Sequence, residues 1–122
     1  PLSGYLTLAE HLYEHGPAFA EGFNFGPHDI DARPVEWIIS RLCDSWGDGA
    51  AWELDEALQP HEAHYLKLDC SKARSRLQWQ PRWHLGHTID MIVAWHQAHA
   101  AGADMRALTL SQIATYQNTA SI

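Results

Sequence analysis

Apolar residues recur along this chain at two spacings, and the change from one to the other marks its elements. In "PLSGYLTLAEHLYEHG" the residues Tyr5, Leu8, Ala9 and Leu12 fall on one face of a helix, with Thr7, Glu10 and Glu14 opposite. "HGP" at His15 to Pro17 stops that helix, because Gly16 can take a left-handed C-terminal conformation and Pro17 cannot continue the turn. The clearest helical period follows in "RPVEWIISRLCDSWGDG", where Val35, Ile38, Ile39, Leu42 and Trp46 recur between Pro34 in the first turn and Gly47 at the end. A longer helix spans about Leu85 to Ala100, with Ile89, Ile92, Val93 and His96 on one face and Asp90, Ala94 and Gln97 on another. Shorter helices are expected at Ser71 to Trp79, capped by Asp69 or Ser71 and stopped by Pro81, and at Thr109 to Gln117.

Between these helices the period shortens. "EGFNFG" (Glu21 to Gly26) and "AWEL" (Ala51 to Leu54) read as short strands, and "YLKLD" (Tyr65 to Asp69) alternates apolar and polar residues with the period of two that a strand requires. The expected fold class is therefore α+β: a mostly helical small domain with a few short strands and no long β/α alternation. No internal repeat or low-complexity segment interrupts it.

Length and composition bound this reading. At 122 residues the chain is one domain, and 46% hydrophobic residues against 19% charged place it among folded proteins. Most of the six tryptophans are expected in the core. The net charge of −7, with eight scattered Lys and Arg, gives a nucleic-acid backbone no basic track to follow. No apolar run approaches the eighteen or so residues that cross a bilayer. Two cysteines, Cys43 and Cys70, without a Cys-x-x-Cys spacing, fit a reduced, cytoplasmic protein. The first residue is Pro1 and a helix begins at once, so residues 1–122 are expected to be a single partial domain.

Nine histidines raise the question of metal, since His11/His15 lie four apart and His61/His64, His84/His87 and His96/His99 three apart. "HEAH" is not the His-Glu-x-x-His of zinc proteases, and it is flanked by Pro60 and an expected strand. Surface and half-buried helix histidines explain these pairs, and no metal is expected. There is no Gly-x-Ser-x-Gly elbow, no Gly-x-Gly-x-x-Gly turn and no Gly-x-x-x-x-Gly-Lys-Ser/Thr loop. The chain thus offers no catalytic residue and no cofactor site of its own. Arg33, Arg41, Arg74, Arg76, Arg82 and Arg106 are forks able to hold phosphate, or simply solvated helix faces. From its residues alone, "QPHE" at Gln59 to Glu62 is either a wall of a ligand site or a surface loop on which Glu62 and His61 pair.

Taken together, "PLSGYLTLAEHLYEHG", "FNFGP", "RPVEWI" and "PHEAHYLKLDCSKARSRLQWQPRW" resemble the C-terminal part of the CDP-glucose 4,6-dehydratase family, a branch of the extended short-chain dehydrogenase/reductases. The frame Asp-x-x-Lys-x-x-x-x-Leu-x-Trp-x-Pro, from Asp69 to Pro81, marks the wider group of nucleotide-sugar epimerases and dehydratases. "PLSGYL" and "PHEAHYLKLDCSKA" point to the CDP-glucose branch. The resemblance implies a lyase of deoxysugar biosynthesis in which an N-terminal Rossmann domain binds NAD and a smaller C-terminal lobe closes over the nucleotide-sugar. In such an enzyme a hydride leaves the sugar C4 for NAD, water is lost across C5 and C6, and the hydride returns to C6, giving a 4-keto-6-deoxy sugar.

This chain matches the smaller lobe and lacks the Gly-rich turn and any Tyr-x-x-x-Lys, since Tyr5, Tyr13, Tyr65 and Tyr116 are followed four residues on by Ala9, Pro17, Asp69 and Ala120. By the resemblance, Glu62, Gln59 and His61 bind the nucleotide, Glu62 by accepting the ribose hydroxyls. NAD is expected only in the parent enzyme. The implied partners are CDP-glucose and the missing Rossmann domain, with self-association possible through surface that domain would cover. A free-standing interaction module derived from this lobe is the competing reading.

Overall fold

The computed structural model of the protein describes residues 1–55 and 67–120. The described residues form five α-helices, α1 (Leu2–His15), α2 (Val35–Trp46), α3 (Ser71–Leu77), α4 (Leu85–Ala100) and α5 (Met105–Asn118), with 3-10 turns at Gly16–Phe19 and Asp29–Asp31. The helix ends follow the expected chemistry. Gly16 leaves α1 at φ 60° and Gly47 leaves α2 at φ 73°, both in the region that disfavours a Cβ. Pro34 sits one residue earlier than expected, as the cap of α2. Asp104 caps α5 by accepting from the Ala107 N–H at 3.0 Å, and this start lies upstream of the expected Thr109.

The α+β expectation is overturned: among the described residues helix accounts for 64% and strand for none. Residues 21–26, 51–54 and 67–69 carry the alternation of a strand but make no ladder, and Tyr65 and Leu66 lie outside the described residues. The physical reason is that a strand is defined by its neighbour, because its N–H and C=O groups need a second backbone to pair with. Residues 23–26 do approach residues 68–70, since a Cβ on Gly26 would stand 3.3 Å from Cys70 Sγ and 3.5 Å from Leu68 Cβ. The hydrogen bond that joins the two segments comes from a side chain, Asn24 Nδ2 donating to the Asp69 carbonyl at 3.1 Å.

A small core forms where α1, α3 and residues 23–25 meet. Phe25, Ala73, Leu77 and Trp79 are buried, with Leu8, Phe19 and Phe23 packed against them. Gly4 makes this possible, because α1 crosses Phe25 so closely that any Cβ there would overlap the ring. Trp79 reaches the core because α3 ends early: Gln78 turns left-handed at φ 51°, and the N–H groups of Gln78 and Trp79 both return to the Ala73 carbonyl. The expected helix to Trp79 is thereby shortened to Leu77. The indole packs edge-on to Phe25 at 5.0 Å, and its Nε1 donates to Ser3 Oγ at 2.9 Å. Ser3 Oγ in turn hydrogen-bonds the Tyr116 hydroxyl at 2.8 Å, which ties α5 to the same centre.

The other tryptophans do not follow the core expectation. Trp37 and Trp52 are exposed, and Trp46, Trp83 and Trp95 are half-buried. α2 lies along α4, where Arg41 grips Asp90 with two bonds from Nη2 at 2.6 and 2.9 Å and Ser45 Oγ donates to the same carboxylate at 2.7 Å. Ile89 and Val93 are the buried residues of α4. α5 folds back on α4 through Gln112 Nε2 to the Met91 carbonyl at 2.9 Å and Trp95 Nε1 to Thr109 Oγ1 at 3.0 Å.

Candidate functional site

Gln59, His61 and Glu62, the residues the sequence singled out, lie outside the described residues. The described chain resumes beyond them at Lys67, beside a shallow open groove with charged and polar side chains at its border. Lys67 Nζ forms an ion pair with Asp29, from the 3-10 turn that follows "FNFGP". The hydrogen bond from Lys67 is the largest influence holding the Asp29 carboxyl below the usual carboxylate range, with the charges of Lys67, Arg74 and His28 adding to it. Two residues on, Asp69 accepts the Ser71 N–H at 2.8 Å and opens α3. Its carboxyl is likewise held low, chiefly by its side-chain and backbone hydrogen bonds with Ser71.

The groove is an open depression of about 440 Å³ between His28, Asp29 and Ile30 on one side and Arg74 and His84 on the other. α3 supplies Arg74, whose guanidinium also donates to Ser71 Oγ at 3.2 Å. The start of α4 supplies His84, whose Nδ1 stands 2.9 Å from Asp31 Oδ2. Asp31 has a second task. Its Oδ1 accepts the Leu85 N–H at 3.1 Å, so one nearly buried carboxylate caps α4 and fixes the His84 ring. A guanidinium, two imidazoles and a carboxylate around one concavity can bind a ligand that is both anionic and rich in hydroxyls.

Of these groups, Arg74 and His84 stand out in the sequence as a phosphate-capable fork and as one of a histidine pair, while His28, Asp29 and Asp31 do not. The available signal was the "FNFGP" motif, because a loop that leaves the core at Gly26 and returns at α2 carries "HDID" past the "LDCSKAR" segment.

Histidines of the described pairs lie against aromatic rings. His11 and Phe19 stack at 4.6 Å with His15 beside them, His87 meets Trp83 edge-on at 4.8 Å, and His96 and His99 flank Trp95 at 5.1 and 5.6 Å. His61 and His64 lie outside the described residues. Among the described residues no three His, Cys, Asp or Glu side chains converge as a metal site would require. Arg82 is engaged at the end of α5, where Nη1 donates to the Gln117 carbonyl at 2.7 Å. Among the described residues no helix is long and apolar enough to cross a membrane.

No family model matches the chain. It is similar to the CDP-glucose 4,6-dehydratase of Salmonella typhimurium (strain LT2), with 51% identity over 118 residues that cover 97% of this chain and 33% of the relative. The matched part is the C-terminal region of that enzyme, in agreement with the resemblance carried by the motifs. The chain spans about one third of the length of the curated relative it matches.

Proposed function

We propose that residues 1–122 form the nucleotide-sugar-binding lobe of a CDP-glucose 4,6-dehydratase, one that holds the substrate while a separate domain supplies NAD and the catalytic tyrosine. The observation that carries this reading is the 51% identity over nearly the whole chain. An open groove bordered by Asp29, Arg74 and His84 supports it. NAD does not fit this chain: the Gly-rich turn that would receive its pyrophosphate is missing from the sequence, so the lobe takes no part in hydride transfer. Its work is positioning. Glu62 accepts the ribose hydroxyls, Gln59 and His61 contribute further polar contacts, and the sugar is thereby directed toward the other domain.

Glu62→Ala tests this, in the chain joined to the remaining two thirds of its relative. A hydrogen bond to a charged group is worth roughly 1.5–3 kcal/mol, so nucleotide-sugar affinity should fall about tenfold or more while NAD affinity stays unchanged. A contact equal in ground and transition states raises KM and leaves kcat nearly constant. Unaltered KM with collapsed kcat would put Glu62 at the reacting sugar instead, and unaltered kinetics would make "QPHE" an ordinary surface loop.

A further inference from the structure

α1 is apolar on two sides. Gly4 and Leu8 turn toward Phe25 and the core, while the other side presents Leu2 at 76% exposure, Leu6 at 67% and Tyr13 at 93%. Together with exposed Ala9 these positions recur at helical spacing and make one continuous stripe. A helix apolar on both sides has the pattern of one buried within a larger body.

From this we infer that the outward stripe of α1 is the seat on which the rest of a dehydratase-length polypeptide docks. The inference rests on the proposed function for the identity of that occupant, since the relative extends over twice as many residues again as the matched part. Charge disfavours a second copy of this chain: exposed Glu10 and Glu14 border the stripe, and a two-fold contact would gather four carboxylates between two bodies of net charge −7 each. A lipid surface is disfavoured because α1 holds no Lys or Arg to meet anionic headgroups.

Thiol labelling tests the inference without any nucleotide-sugar. Leu6→Cys, Tyr13→Cys and Glu10→Cys are made in a Cys43→Ser background, Cys70 being buried, and maleimide rates are compared between the isolated chain and the chain spliced in place of the matched third of its Salmonella relative. Leu6→Cys and Tyr13→Cys should label at least tenfold more slowly in the joined protein, and Glu10→Cys should change far less. Equal rates in both proteins overturn the inference, as does protection in the isolated chain that grows with its concentration, which would assign the stripe to a second copy. Leu6→Glu adds an independent reading. It should leave the urea midpoint of the isolated chain unchanged and lower that of the joined protein, and a drop in the isolated chain would put Leu6 in its own core and overturn the proposal. Failure to bind nucleotide-sugar with Leu6 protected would sink the proposed function alone.

Discussion

Gly4→Ala places one methyl group where α1 meets the core. The new Cβ would stand 2.2 Å from Phe25 Cδ1, 2.5 Å from Cε1 and 2.7 Å from Cγ. The ring has no free space to retreat into, because Phe25 is buried and held edge-on between Tyr5 at 5.3 Å and Trp79 at 5.0 Å. Overpacking of a filled core costs about 1–3 kcal/mol, and the better helix propensity of alanine returns about 1 kcal/mol at most. With the full propensity gain returned, the net loss is still about 0–2 kcal/mol. Gly86→Ala is the matched control: it lies in α4 with nothing within 4 Å of the added Cβ, so only the propensity gain remains. Urea unfolding followed by tryptophan fluorescence should lower the midpoint for Gly4→Ala and raise or leave it for Gly86→Ala. A Gly4→Ala protein as stable as Gly86→Ala would refute the close crossing of α1 over Phe25.

Ser3→Ala removes the acceptor of the Trp79 indole N–H and the companion of the Tyr116 hydroxyl. Leaving the buried N–H unsatisfied should cost about 1–3 kcal/mol, whereas Tyr116→Phe, which keeps the Trp79 bond, should cost about 1 kcal/mol or less; equal losses in denaturant melts would contradict the network. The depressed Asp69 carboxyl gives a pH dependence with a definite sign, because a folded-state pKa below the unfolded one contributes stability that is complete above the ordinary carboxylate range and is lost as pH falls through the lowered value. Asp69→Asn should flatten that part of the acid-unfolding curve, and an unchanged acid limb would show that the bond from the Ser71 N–H to Asp69, one residue before the Cys70 cap of α3, adds no stability.

The helices were legible in the sequence because their stop signals are local. Gly16 and Gly47 end α1 and α2 by their own backbone freedom, and the bounds of α4 follow from the apolar period alone. The strands were misread because alternation records which residues face inward and says nothing of what the backbone pairs with. Phe23 and Phe25 do pack on the core, yet among the described residues the bond from 23–26 across to Asp69 is made by the Asn24 side chain and not by backbone. The tryptophans misled for a related reason: bulk at a helical position predicts contact, and Trp83 and Trp95 make contact through one edge while the other stays open. At the site, the motif from Asp69 to Pro81 carried the resemblance, but the approach of Asp29 to Lys67 and of Asp31 to His84 spans 38 and 53 positions and has no local signature.

The central claim is that this chain supplies substrate contacts and lacks the hydride-transfer machinery. The most direct measurement gives the purified chain CDP-glucose and NAD and looks for the 4-keto-6-deoxy product, beside the same chain joined to the remaining two thirds of its relative. The account predicts no product from the chain alone and product from the joined protein. Turnover by the chain alone above a heat-killed control, or a correctly folded joined protein that binds NAD and forms no product, would contradict it.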